Sequence, residues 1–123
     1  MEIRGFDHVN LRTANLEGMV RWYGEVLGMR PGLRPGFDFG GAWLYCGDQA
    51  LVHLVQVAEP PRAIEPRIEH FALKGSGLRA FLAHLQAKGV AYRLGEPPGT
   101  GITQVNIHDP DGNHIHVDFR ESV

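Results

Sequence analysis

The strongest constraint on how this chain of 123 residues folds is a pattern of segments that occurs twice. A strand, an amphipathic helix and three short strands are predicted in about residues 1–57, and the same order returns in about residues 68–123. Matched residues lie 61 to 63 positions apart: His8 and His70, Gly28 and Gly89, His53 and His116. A solenoid needs about three or more repeats. The pattern therefore predicts two βαβββ modules within one domain, residues 1–123.

Hydrophobic periodicity sets the expected limits of these elements. Helices are predicted at Asn15–Leu27 and Ser76–Lys88, ended by Gly28 and Gly89. The predicted strands are Ile3–Arg12, Met29–Leu33, Gly41–Cys46 and Ala50–Val57 in module one and Ile68–Lys74, Val90–Leu94, Ile102–His108 and His114–Phe119 in module two. Three prolines mark a linker at about residues 58–67. The expected fold is α+β, a curved mixed sheet around a concave cavity with the helices outside.

Composition excludes several classes of function. Twelve basic and fourteen acidic residues give a formal charge of −2, and no basic cluster occurs, which argues against a nucleic-acid-binding or membrane-surface protein. Apolar stretches are too short to span a bilayer and the N-terminus lacks a signal-peptide core, so a cytoplasmic protein is expected. Cys46 is the only cysteine, which rules out an intrachain disulfide and a thiolate metal cluster.

Four of the seven histidines occupy repeat-related strand positions. Strand alternation places His8, His53, His70 and His116 opposite the apolar faces that the helices should cover. Each imidazole could be satisfied by a local hydrogen bond, but four matched imidazoles favour shared binding of one divalent metal ion. By contrast, His84 is expected to be a surface residue. His108 and His114 flank the last turn and are expected to be exposed turn residues, with a place on the pocket rim as the alternative.

Several residues near these histidines are candidates for a substrate pocket. Aromatic residues of module one could form its walls, although core packing is the alternative: Phe37, Phe39, Trp43 and Tyr45. Asn10 shares a strand face with His8, and Gln104 and Asn106 share a face that could orient a substrate. Asp118, two residues from His116, could accept a hydrogen bond from that imidazole.

Five segments together resemble the vicinal oxygen chelate superfamily. They are His8-Val9-Asn10-Leu11, Trp22-Tyr23-Gly24-Glu25-Val26-Leu27-Gly28-Met29, Leu51-Val52-His53-Leu54, His70-Phe71-Ala72-Leu73 and Asp109-Pro110-Asp111-Gly112-Asn113-His114-Ile115. That superfamily contains glyoxalase I, the extradiol dioxygenases, and the fosfomycin- and bleomycin-resistance proteins. The resemblance covers nearly the whole chain and implies paired βαβββ modules whose sheets curve around a metal site.

The resemblance also implies a set of metal ligands. First-strand ligands in the family are commonly His, which His8 and His70 match, and His53 matches the last strand of module one. The last strand of module two normally supplies Glu, but this chain has His116 there. The expected cofactor is a divalent ion, Zn, Ni, Fe, Mn or Co, in a site that lacks the family's carboxylate.

The implied function is that of a metal-dependent enzyme of the glyoxalase or extradiol dioxygenase type. Its substrate would be a small molecule that chelates the metal through two neighbouring oxygens, with His116 as the catalytic residue. Lyase or isomerase chemistry and ring-opening dioxygenation both remain open. The alternatives are a non-catalytic binding protein of the bleomycin-resistance type and a thiol transferase of the fosfomycin-resistance type, for which only Arg12 and Lys74 offer suitably placed cations.

A homodimer is the expected assembly. Relatives in the family often complete the cavity by pairing modules across chains. His8 and His53 of one chain would then face His70 and His116 of the partner subunit, and an isologous dimer would hold two equal sites.

Overall fold

Two compact units make up the chain in the computed structural model, which describes all residues from 1 to 123. The first unit is Met1–Ala63 and the second is Ile64–Val123. Each contains one helix and one four-stranded mixed sheet in the order βαβββ, so the predicted α+β class and modular arrangement are confirmed. Neither helix has the length and apolar character that a membrane span requires.

The first unit packs its helix against a sheet in which the first and last strands are parallel. Its elements are β1 (Val9–Thr13), α1 (Leu16–Leu27), β2 (Arg30–Pro31), β3 (Gly41–Cys46) and β4 (Gln49–Gln56). The strand order is β1-β4-β3-β2, and only the β1–β4 pair is parallel. Met19 and Tyr23 of α1 and Leu44 and Val52 of the sheet are fully buried. This apolar core leaves the opposite face of the sheet to polar and aromatic side chains.

The second unit repeats this topology. Its elements are β5 (Phe71–Lys74), α2 (Leu78–Ala87), β6 (Arg93–Gly95), β7 (Thr103–His108) and β8 (His114–Phe119), and the strand order is β5-β8-β7-β6. Phe81 of α2 packs on Phe119 of β8 with ring centroids 5.6 Å apart. Val105, Ile107 and Ile115 are fully buried, so alternate residues of β7 and β8 form the core.

The ends of α1 agree with the sequence prediction, whereas the first strand of each unit is shorter than predicted. Asn15 accepts a hydrogen bond from the Gly18 amide, and Gly28 closes the helix at a φ of 70° that favours glycine. Strand pairing begins only at Val9, opposite β4, and at Phe71, opposite β8. His8 and His70 therefore each lie one residue before a strand.

A carboxylate from the C-terminal segment caps α2. The helix begins after Gly77, which has no side chain to cap it. Both oxygens of Glu121 accept hydrogen bonds instead, from the backbone amides of Gly77 and Leu78 at 2.8 Å each. These two bonds lower the pKa of Glu121 from its ordinary value. The carboxylate satisfies amides that a helix otherwise leaves unpaired, and its charge favours the positive end of the helix dipole.

We expect Glu121→Gln to lower the midpoint of thermal unfolding by a few degrees at pH 7, because the amide loses the charge and one acceptor oxygen. The folded-state pKa lies below the unfolded value of 4.5. The stabilisation is therefore complete above that pH and disappears as the pH falls through the folded-state pKa. Circular dichroism at pH 7 and pH 3 measures the difference, with Glu96→Gln as the control. Equal midpoints at pH 7 would contradict the cap.

Candidate metal site

The two histidines of the first unit lie in an aromatic column. His53 is buried in the middle of β4, opposite Asn10 of β1 and Trp43 of β3. Its ring stacks between those of Trp43 and His8, with centroid distances of 3.9 Å and 3.7 Å. The structure therefore brings His8 and His53 together, although His8 lies one residue before β1.

Hydrogen bonds occupy one nitrogen of each of these imidazoles. Nδ1 of His8 lies 2.6 Å from the Asp7 carboxylate, and Nε2 of His53 lies 3.1 Å from the Ala50 carbonyl. Because carboxylates and carbonyls only accept hydrogen bonds, each of these nitrogens donates. In the neutral rings, Nε2 of His8 and Nδ1 of His53 keep the lone pairs that a metal ion requires.

The pKa of His53 is lowered from its ordinary value. Burial contributes most, because it disfavours the charged imidazolium, and the neighbouring His8 lowers the pKa further. The hydrogen bond to Ala50 and the charge of Asp7 act in the opposite direction. A neutral imidazole is the form that binds metal ions.

A cavity of about 600 Å³ opens beside this column. His8, His53 and Trp43 line it together with Phe37, so aromatic rings form much of its wall. Phe39 lies against Phe37, with ring centroids 4.8 Å apart, rather than on the wall. Asn10 neighbours His53 across the strand pair but is exposed.

The second unit brings its own pair together. His116 is buried in β8, and its ring centroid lies 4.4 Å from that of His70. Nδ1 of His116 is 2.6 Å from Oδ1 of Asp118, which fits the predicted orienting contact. Nδ1 of His70 contacts the carboxylate of Glu69. In the neutral rings, Nε2 of both histidines keeps its lone pair.

The polar face of β7 lies opposite these groups. Asn106 pairs with His116 across the sheet, and Gln104 pairs with Asp118. Asn106 is buried, and its Nδ2 donates to the Arg93 carbonyl at 3.2 Å. This bond fixes the amide so that Oδ1 faces His114.

His114 and Glu69 were not recognised as site residues in the sequence. The expectation that His114 is an exposed turn residue is wrong: it begins β8, and its side chain is only 16% exposed. Its Nδ1 lies 2.9 Å from Glu69, and its Nε2 lies 2.8 Å from Asn106. One signal pointed to Glu69, because Asp7-His8 and Glu69-His70 form the same acid–histidine pair in both repeats.

The carboxylate of Glu69 contacts two imidazoles, those of His70 and His114. Hydrogen bonds from His70, first, and from His114 lower its pKa. One donor atom each from Glu69, His70 and His114 lie within 4.8 Å of one another, a spacing compatible with a metal ion.

The donor chemistry of both units fits a divalent cation. Three of the four matched histidines hold Nδ1 against a carboxylate: His8, His70 and His116. Metal-bound histidines commonly show this arrangement, because the carboxylate fixes the tautomer and makes the remaining nitrogen a stronger donor.

Comparison with known proteins gives a consistent match. The family model of the Glyoxalase/Bleomycin resistance protein/Dioxygenase superfamily matches residues 5–117. Glyoxylase I 4 of Arabidopsis thaliana is 29% identical over 125 residues, covering 95% of this chain and 71% of that protein. An integron cassette protein from V. cholerae is 28% identical with a TM-score of 0.73, covering 98% of both chains. Lactoylglutathione lyase from Agrobacterium tumefaciens shares the fold, with a TM-score of 0.70 at 20% identity, covering 97% of this chain and 96% of that one.

We expect the fluorescence of Trp43 in metal-free protein to fall as the pH is lowered, because a protonated His53 stacked on the indole quenches its emission. The lowered pKa of His53 places the midpoint below 6.5, the ordinary histidine value. Trp22→Phe should retain the transition and His53→Gln should abolish it. A midpoint at or above 6.5 would contradict the burial of His53.

Proposed function

Because the chain belongs to the Glyoxalase/Bleomycin resistance protein/Dioxygenase superfamily, we propose that it is a metal-dependent enzyme of the glyoxalase or extradiol dioxygenase type. Its substrate would be a small molecule that chelates the metal through two neighbouring oxygens. The observation that carries this proposal is the repeated carboxylate–histidine pairing. A protein that only encloses an organic ligand does not require imidazoles whose tautomer is fixed by a carboxylate.

We assign His8, His53, His70 and His116 as the residues that hold the cation. All four present a ring nitrogen with a free lone pair once the hydrogen bonds described above are made. Imidazole donors suit Zn, Ni, Co and Fe, and Mn is the further ion to be tested. When bound, the ion supplies Lewis-acid polarisation of the two substrate oxygens.

His116 is the candidate for proton transfer. Asp118 accepts from its Nδ1 and orients the ring, so Nε2 can take up a proton when it does not hold the cation. Burial of His116 and its hydrogen bond to Asp118 hold the ring in place. This Asp–His pair can therefore perform the proton transfer that the family assigns to a carboxylate at this position.

The cavity of the first unit supports a substrate with a planar apolar part. Trp43 and Phe37 present ring faces or edges on its wall, next to the histidine column. Aromatic walls bind flat ligands by stacking at little conformational cost. The carboxylates of Asp7 and Asp48 also line the cavity and disfavour an anionic group beside them.

We expect His116→Ala to lose most of the turnover and to weaken metal binding at least about tenfold, since a ligand is removed. Asp118→Asn should weaken metal binding by about tenfold while His116 stays in place. His116→Glu should retain the metal and shift the pH–rate profile, because a carboxylate replaces the imidazole as proton acceptor. Metal content and initial rates are measured for each variant, with His84→Asn as the control. Unchanged metal affinity in His116→Ala would contradict the assignment.

A substrate panel tests the reaction type. Hemithioacetals of 2-oxoaldehydes and catechols are offered with Fe(II), Ni(II), Zn(II), Mn(II) and Co(II). Turnover that requires both a metal and His116 supports the proposed enzyme function.

The second candidate is a non-catalytic binding protein. The aromatic cavity favours it, and so does His116 at the position where the family has Glu. If no substrate is turned over with any of the metals, and an aromatic ligand binds tightly to the metal-free protein, that alternative would be established.

We further propose a homodimer. Large apolar side chains stand exposed in both units: Ile3 and Phe6 in the first and Ile64 and Ile68 in the second. Burial against a second copy would remove this apolar surface from water, so these side chains are candidates for the dimer interface.

Sedimentation equilibrium should give a dimer, and mixing variants tests whether the metal site is shared between chains. A mixture of His8→Ala and His116→Ala chains should recover about a quarter of the wild-type sites if each site combines first-unit ligands of one chain with second-unit ligands of its partner. Each variant alone should recover none. A monomer that binds metal normally would contradict the shared site.

A further inference from the structure

The carboxylate of Glu69 faces two imidazole nitrogens at once. Its Oε2 contacts Nδ1 of His70, and its Oε1 lies 2.9 Å from Nδ1 of His114. The three donor atoms that these residues offer lie within 4.8 Å of one another. One carboxylate and two imidazoles form a mixed oxygen–nitrogen donor set that divalent first-row ions bind.

A chain of hydrogen bonds orients His114 toward Glu69. The Arg93 carbonyl accepts from Nδ2 of Asn106, so Oδ1 of that amide is the acceptor for Nε2–H of His114. In the metal-free chain Nδ1 of His114 donates to Glu69, and when a cation replaces that proton the lone pair of Nδ1 faces the carboxylate. Asn106 is buried, so this arrangement is built into the sheet. Such outer hydrogen bonds are typical of histidines that ligate metals.

The first unit contains no such set, although it repeats the acid–histidine pair. Asp7 contacts His8 in the way that Glu69 contacts His70. The repeat offset of 63 residues places Leu51 at the position of His114. The contact of His114 with the Glu69 carboxylate therefore occurs only in the second unit and does not follow from the repeat.

We propose that Glu69, His70 and His114 ligate a divalent first-row cation within the second unit. This site goes beyond the proposed function, because it requires none of His8, His53 and His116. It shares only His70 with the all-imidazole set. Its carboxylate supplies an anionic ligand, which the all-imidazole set lacks.

Titration of the metal-free full chain with Co(II) tests this site, with the visible absorption of the bound ion and the metal content per chain as readouts. We expect Glu69→Gln and His114→Ala each to weaken Co(II) binding at least about tenfold. Asn106→Leu should weaken it by about tenfold, because His114 loses the acceptor that fixes its tautomer. Glu96→Gln and His84→Asn remove a carboxylate and an imidazole elsewhere in the same unit and should bind as the wild type does. Circular dichroism verifies that each variant folds.

The outcomes separate this site from the all-imidazole set. Wild-type Co(II) affinity in both Glu69→Gln and His114→Ala overturns the proposal, and a loss confined to His116→Ala would then leave the proposed function standing. Normal binding in His116→Ala with weakened binding in Glu69→Gln supports the mixed site and removes the all-imidazole assignment. A wild-type chain that binds no Co(II) overturns both.

Discussion

The parallel pairing of the first strand of each unit with its last strand is the constraint on which the candidate sites depend. It places β1 beside β4 and β5 beside β8, so residues about 45 positions apart in the chain become neighbours. His8 meets His53 and His70 meets His116 for this reason. A parallel pair needs a crossover connection between its strands, and the helix in each crossover covers the apolar face. The same topology that buries the core therefore leaves the histidines on the opposite face.

Much of this arrangement could be predicted from the sequence because it follows from periodicity. The 3.6-residue pattern located α1, and strand alternation placed His116 and Asp118 on one face of β8, where they are hydrogen-bonded. The repeat offset of 62 or 63 residues identifies the matched histidines from the sequence alone. These are properties of regular elements, in which side-chain direction follows from position.

The remaining contacts lie where regular geometry ends. Glu69 precedes β5 and Glu121 follows β8, so alternation does not fix the direction of either side chain. His114 begins β8 directly after a turn, and its environment depends on Asn106 of the neighbouring strand and on Glu69, 45 residues earlier. Cross-strand register and contacts from irregular segments decide such positions, and the periodicity of a single sequence fixes neither of them.

The resemblance implies a glutamate at the position of His116, and a histidine there would change where negative charge lies in the proposed set. An all-imidazole set contributes no charge to the ion, whereas a carboxylate ligand neutralises one unit of it. Asp7, Glu69 and Asp118 each contact the Nδ1 of a candidate ligand, so in the proposed set the compensating charge would lie one residue further from the cation. A histidine that donates to a carboxylate is a more basic ligand than an isolated imidazole. The proposed set therefore retains anionic support for a cation, and Glu69, which contacts two imidazoles, is the carboxylate that we propose to bind one directly.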